Sequence, residues 1–288
     1  MTPQQYCIDK TNESGSSFLP AFYFLGKEKK MALTALYAFC REVDDIVDEC
    51  NEYETGKIKL DWWSSEITRL FSGNPQHPVT KSLVNYIDKF DLNKEYFIEI
   101  INGMKMDLNF NRYEDFKQLQ LYCYRVASAV GILSAKIFGF NNINTLKYAH
   151  DMGIALQLTN IIRDLGEDAR RGRIYAPLDE IKIFGVTEAH ILNYKEDEKI
   201  KKLVLFLSER AENFYFSAID HLPIEDKRKQ IPGLIMGNIY FVLLQEIKKN
   251  NPEKILKQRT ILPAFRKLTV ALTCFINYSW IKKGKESS

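Results

Sequence analysis

Residues 41–49 read REVDDIVDE, five carboxylates in nine positions, directly after the apolar run MALTALYAFC. On a helix, residues four apart share a face, so Asp44 and Asp48 form one pair and Asp45 and Glu49 another. Like charges at that spacing cost a helix roughly 0.2–0.5 kcal/mol per pair, and Arg41, three residues before Asp44, offsets part of this. Alone, such a run reads as a solvated face. A hard cation gives it a second reading. Mg²⁺ takes oxygen ligands, keeps several waters, and commonly uses one or two carboxylates plus the phosphates of a substrate. A half-site of that kind calls for a second acidic set on another helix.

Residues 157–168, QLTNIIRDLGED, supply one. Asn160, Asp164 and Asp168 fall at i, i+4 and i+8, drifting about 40° per step, and so stay on one stripe. The apolar MGIALQL before them takes the helix into a core, with its polar end lining a cavity or rim. Arg163, Arg170, Arg171 and Arg173 surround the stripe. Ordinary surface salt bridging explains mixed charge of this kind. A diphosphate site explains it as well: carboxylates hold the cation, the cation holds phosphates, and guanidiniums take the remaining oxygens in pairs.

The elements that must present these groups are helices. Apolar residues recur with helical period and alternation of period two is scarce, which predicts helices at 29–50, 57–72, 79–90, 93–109, 114–139, 143–169, 195–220, 225–250 and 260–282. Gly, Pro, Asn and Asp punctuate them at SGNPQHP, FGFNN, HLPIED and KNNPE. RRGRIYAPLDEIKIFG (170–185) follows no stripe and reads as a loop. With no long linker or repeat, the expectation is one all-α domain over residues 1–288, its antiparallel helices packed around a central space.

Composition narrows the partners. A formal net charge of +3 on 288 residues is too small to imply nucleic acid. The five cysteines are scattered and odd in number, without a CxxC pair, so reduced thiols in a cytoplasmic protein are expected. No signal core or run of about 18 apolar residues is evident. The end of the chain, LTVALTCFINYSWI followed by KKGKESS, reads first as a buried terminal helix with a frayed tail. Its second reading is an apolar helix with a basic end, resting on the inner face of an anionic membrane. The four histidines form no ligand spacing, and no GxGxxG fingerprint is present.

Three blocks together resemble the squalene/phytoene synthases. ALYAFCREVDDIVDE (35–49) and QLTNIIRDLGEDARRGRIYAP (157–177) are similar to that family's two aspartate-rich signatures, and LYCYRVASAVG (121–131) to its YCxxVAxxVG block. They occur in the family's order, and the likeness spans roughly residues 14–260. Within the family, AFCREVDDIVDE, DWW at 61–63, QHPV at 76–79, IINGMKMDL at 100–108 and GEDARRGRIYAP resemble the bacterial presqualene diphosphate synthases of hopanoid biosynthesis.

The resemblance implies an all-α isoprenoid synthase fold. It also implies head-to-head (1′–1) condensation of two farnesyl diphosphates to presqualene diphosphate, which a partner enzyme of squalene formation carries onward. By position, Asp44 and Asp48 match the first metal-binding pair, and Asn160, Asp164 and Asp168 the second set, for Mg²⁺ or Mn²⁺. Arg41, Arg173 and Arg259 match diphosphate contacts. Tyr122 matches a tyrosine implicated in proton or cation handling. Ser17, Phe18, Phe22, Tyr37 and Gln157 match cavity-lining positions, although Leu19-Pro20-Ala21 departs from the aromatic or small residues expected there. Ala127, Ala129, Gly131, Gly153 and Ala155 are candidates to make room for prenyl tails, or to let helices pack closely. The alternatives are a complete squalene synthase using NADPH, or a dehydrosqualene or phytoene synthase without it; NADPH is not expected. A non-catalytic assembly protein on the same fold would have lost the aspartates, and a head-to-tail elongase would carry DDxxD on both helices.

Overall fold

The computed structural model describes residues 1–13, 25–50 and 52–277. Its helices are α1 (Pro3–Glu13), α2 (Lys27–Glu49), α3 (Tyr53–Phe71), α4 (Pro78–Leu83), α5 (Lys94–Asn109) and α6 (Phe116–Phe138). They continue with α7 (Asn144–Arg170), α8 (Leu178–Ile183), α9 (Glu188–Leu192), α10 (Glu198–His221), α11 (Ile231–Lys249) and α12 (Ala264–Asn277). No strand forms among the described residues, and one isolated parallel bridge joins Arg112 to Ile174. The architecture is the all-α isoprenoid synthase fold.

Local chemistry sets most boundaries. Asp115 starts α6 by accepting a hydrogen bond from the Gln118 amide at 2.8 Å, and Asp197 starts α10 by accepting from the Lys199 and Ile200 amides, both at 3.0 Å. Three expectations shift. The helix expected at 79–90 ends at Leu83. Beyond it the chain closes tight turns, Tyr86 to Leu83 and Leu92 to Ile87, and Asp91 takes a φ of 50°. The helix expected from 225 starts at Ile231, because Pro232 fits only a first turn. Upstream, Asp226 is committed to accepting from the Asn141 and Asn142 amides and the Thr145 hydroxyl. Finally, α1 and the short α8 and α9 carry too few turns to show a period in the sequence.

The buried side chains form two apolar clusters. One is built from α1 to α6 and the other from the end of α5 through α12. Helix α6 feeds both: Leu119, Tyr122 and Ile132 join the second, while Ala129, Leu133 and Ile137 join the first. By length and composition alone α6 could cross a bilayer, but half of its most apolar window is buried inside the protein. Its middle, Tyr124–Ser128, widens into a π-helical turn. That turn presses on α7 so closely that a Cβ at Gly153 would lie 2.5 Å from the Ser128 Cα and 2.7 Å from its amide nitrogen. Helix α12 covers α11 with Val270, Ala271 and Cys274, while Phe265, Leu268, Leu272 and Ile276 stay exposed. It is therefore buried on one face, and the tail after residue 277 lies outside the described residues.

Gly153→Ala should destabilise the protein despite alanine's better helix propensity, because the clash is with backbone that cannot rotate away. A cost of about 1–3 kcal/mol, read as a drop of several degrees in Tm by calorimetry, is expected.

Candidate active site

A cavity of about 820 Å³ runs between the two clusters, toward the top of the ~300–1,000 Å³ range of small-molecule pockets. Five helices line it: α2 from Leu33 to Asp48, α5 at Ile100 and Met104, α6 from Tyr122 to Phe138, α7 from Tyr148 to Asp168, and α11 from Pro232 to Tyr240. Tyr148 and Asp164 are 16 residues apart on one helix, which is about 24 Å of rise. The space is therefore long. Its polar end carries Asp44, Asp48, Asp164, Asp168 and the nearby arginines; its far end is closed by Leu33, Phe138, Tyr148 and Pro232. Of the small residues singled out in the sequence, Ala127, Gly131 and Gly153 line the cavity, whereas Ala129 and Ala155 are fully buried in helix packing.

The two overlapping acidic pairs on α2 separate by direction. Asp44 and Asp48 line the cavity. Asp45 is held by Lys10 of α1 at 2.8 Å and by Arg41, so the first pair alone faces the space. Arg41 also holds Asp44 at 2.6 Å. Across the mouth, Asn160, Asp164 and Asp168 share the cavity wall. Asp164 accepts from Arg163 at 2.7 and 2.5 Å and from Arg259 at 2.8 Å. Arg171 reaches over to Asp48 at 3.1 Å and closes the ring of charge.

This mouth is short of positive charge. Burial, then the neighbouring Asp48, Asp107 and Asp45 charges, push the Asp44 carboxyl up to about 6 against the pull of Arg41. Burial, then Asp164 and Asp107, push Asp168 up to about 7 against Arg173 and Arg171. The Asn160 amide donates to Gln157 at 3.4 Å, and its Oδ1 is buried without a partner. An orphaned oxygen among carboxylates reluctant to ionise fits a hard cation. Among the described residues no three His, Cys, Asp or Glu side chains converge on one point. The donors thus form two facing half-sets, suited to cations that take further oxygens from phosphates.

Tyr122 and Gln157 line the cavity with Tyr37. Tyr122 does not stand alone. Its hydroxyl donates to Asp107 Oδ2 at 3.0 Å, and Tyr175 donates to Oδ1 at 2.7 Å. Burial raises the Asp107 carboxyl, while its bonds to Tyr175 and Tyr122 and the Arg173 charge pull it back. Asp107 and Tyr175 were not singled out from the sequence. The signal was present: Asp107 continues the buried stripe Ile100–Met104, where a lone carboxylate is out of place. Tyr175 is aimed by the loop after α7. Gly172 takes a left-handed φ of 73°, and Ile174 donates its amide to the Asn111 carbonyl at 3.0 Å. Arg173 lies beside Tyr175 and Asp107 and within reach of the Asp48 and Asp168 charges, and Arg171 lines the cavity wall near it. Ser17, Phe18 and Phe22, with Leu19-Pro20-Ala21, lie outside the described residues.

Long apolar space, acidic half-sets and arginines on an isoprenoid synthase fold define a class that handles prenyl diphosphates. The chain belongs to the squalene/phytoene synthase family, whose model matches residues 11–266, and is an enzyme of the prenyltransferase type. Among its relatives, the phytoene synthase of Arthrospira platensis is 35% identical, covering 92% of this chain and 89% of that one. The 15-cis-phytoene synthase of Synechococcus elongatus is 33% identical, covering 91% and 89%. A dehydrosqualene synthase solved with a ligand superposes with a TM-score of 0.86 at 27% identity over 96% of each chain. A squalene synthase from Alicyclobacillus acidocaldarius gives 0.79 at 24% identity over 87% and 94%, a likeness of fold.

An aspartate whose folded pKa lies above its unfolded value stabilises the fold while protonated, and that contribution is lost as pH rises through the folded value. Metal-free Asp168→Asn should therefore melt a few degrees above wild type at pH 8. The gain should disappear by pH 4, near the ordinary aspartate value, in a pH series of thermal melts.

Proposed function

We propose that this enzyme joins two identical prenyl diphosphates 1′–1, and that it runs the reaction through to a phytoene-type hydrocarbon from geranylgeranyl diphosphate without a reductant. The observation that carries the reaction class is the facing of two carboxylate half-sets across the mouth of one long apolar cavity. The names of relatives 33–35% identical over nearly the whole chain favour the phytoene product. They weigh against the presqualene diphosphate and farnesyl diphosphate expected from the motifs, which become the second reading.

Asp44 and Asp48 would hold Mg²⁺ on one side, and Asn160, Asp164 and Asp168 on the other, with Mn²⁺ as a substitute. The bound cation supplies Lewis-acid neutralisation of the departing diphosphate. Arg41, Arg163, Arg171 and Arg259 stand at the same mouth and offer paired donors to the phosphate oxygens. As the allylic C–O bond breaks, its electrons leave on the diphosphate and a carbocation forms. The apolar wall keeps water from capturing it. The faces of Tyr37 and Tyr122 each contribute roughly 0.5–2 kcal/mol toward positive charge. The second chain's double bond then forms the new carbon–carbon bond, and a proton must leave to close the cyclopropane. The Tyr122–Asp107–Tyr175 group can hold or relay that proton, with the released diphosphate as its final acceptor. The cyclopropyl diphosphate then loses its own diphosphate with the C–O electrons, the ring opens to the 1′–1 bond, and a second proton leaves to form the central double bond, so no reductant is consumed.

Purified enzyme with Mg²⁺ should convert geranylgeranyl diphosphate to phytoene, equally with and without NADPH, as read by mass spectrometry. Presqualene diphosphate accumulating from farnesyl diphosphate instead would move the assignment to the second reading. Asp44→Ala and Asp164→Ala should each lower kcat by about 10²–10³-fold or more.

Asp107→Asn and Tyr122→Phe should each lower kcat by roughly 10²-fold at nearly constant KM. The double variant should be little worse than either, since the two act as one unit. Multiplying losses in steady-state assays would separate their roles.

A further inference from the structure

The end of the large cavity farthest from its charged mouth is polar where a hydrocarbon site has no use for polarity. Three helices meet there: the last turn of α6 at Phe138, the start of α7 at Tyr148, and the first turn of α11 at Pro232 and Gly233. Tyr148 and Gln230 line this end and are 2% and 1% exposed. The Tyr148 hydroxyl and the Gln230 Oε1 are both buried without a hydrogen-bond partner. One is a donor lacking an acceptor, the other an acceptor lacking a donor.

Neither group can turn away. The Gln230 amide nitrogen donates to the Ala135 carbonyl at 3.2 Å and to the Gly139 carbonyl at 2.9 Å. That fixes the side chain across the end of α6 and leaves Oε1 open. The Tyr148 ring lies so close to α11 that a Cβ at Gly233 would come within 2.8 Å of its hydroxyl oxygen. Burial, and then Cys274, push the phenol up, so it stays a neutral O–H. Between this end and the mouth, the same helices present Leu36, Val130, Met152 and Met236 to the cavity.

A buried polar group pressed against hydrocarbon loses its hydrogen bond to water and gains nothing in return. A prenyl chain that stops short leaves both groups to water, which can accept from one and donate to the other. A chain long enough to cover them strips that water and leaves both unsatisfied.

We propose that Tyr148 and Gln230 are specificity-determining residues that set the longest prenyl chain this enzyme accepts. They form a polar stop about 24 Å of helix rise from Asp164, which an apolar tail approaches but does not cover. Chain length is then chosen by what the tail would desolvate as well as by volume. The inference rests on the reading of this cavity as a prenyl diphosphate site and deepens it.

The test compares kcat/KM for farnesyl, geranylgeranyl and geranylfarnesyl diphosphates with Mg²⁺ in wild type, Tyr148→Phe and Tyr148→Ala. Products are read by mass spectrometry and folding by thermal melts. Tyr148→Phe removes the hydroxyl and keeps the ring, whereas Tyr148→Ala removes both. For the chain one isoprene unit longer than the wild type's best substrate, kcat/KM relative to that substrate should rise about tenfold in Tyr148→Phe and further in Tyr148→Ala. The Phe variant carries the result if the Ala variant does not fold. An unchanged ratio in Tyr148→Phe overturns the inference, because a shift in Tyr148→Ala alone would make volume the selector. Equal losses on all three chains would make Tyr148 structural and overturn it too. Geranylfarnesyl diphosphate serving wild type as well as the shorter chains would show that no stop operates. Wild type inactive on all three would instead sink the prenyl diphosphate reading, and the inference with it.

Discussion

Two helices hold carboxylates toward each other across an apolar space, and the rest of the molecule is arranged around keeping them there. Such an array is self-repelling. Burial makes it worse, because charge that cannot reach water favours the proton, as at Asp44 and Asp168. What makes the array tolerable is guanidinium at close range: Arg41 on Asp44, Arg163 and Arg259 on Asp164, and Arg171 across to Asp48. The surrounding fold supplies rigidity. Helices α2 and α7 are each anchored in an apolar cluster, and α6 forms the wall where the two clusters meet.

Much of this was legible in the sequence because helices write their faces into it. Asp44 with Asp48, and Asn160 with Asp164 and Asp168, share faces by spacing alone, and all five line the cavity. Spacing could not say which of two overlapping pairs on α2 faces inward. That was decided by Lys10, on a helix the sequence did not reveal, which holds Asp45 away from the cavity. The long helices were readable for the same reason, while the turns after Leu83 depend on a left-handed residue at Asp91 that no period announces.

The group around Asp107 was harder to see because its members come from three distant segments. Tyr122 lies on α6, Asp107 near the end of α5, and Tyr175 on the loop that Ile174 ties to Asn111. A hydrogen bond spanning 68 residues leaves no periodic trace. The only local hint was a carboxylate in an apolar stripe. Likewise, the left-handed turn at Gly172 separates Arg171, which pairs with Asp48, from Arg173, which lies beside Asp107 and Tyr175, and no spacing in the sequence announces that division.

The ring of ion pairs at the mouth has a consequence for how ligands arrive. Each arginine there already has a carboxylate, so an incoming cation and an incoming diphosphate do not simply add contacts. On the function proposed above they would exchange partners: the cation would take the carboxylates and free the arginines, and the arginines would then take the phosphates. Either ligand alone must break ion pairs that it replaces on one side only, whereas both together satisfy every charge. On that proposal the mouth would act as a thermodynamic AND gate, with a coupling free energy that each ligand contributes to the affinity of the other.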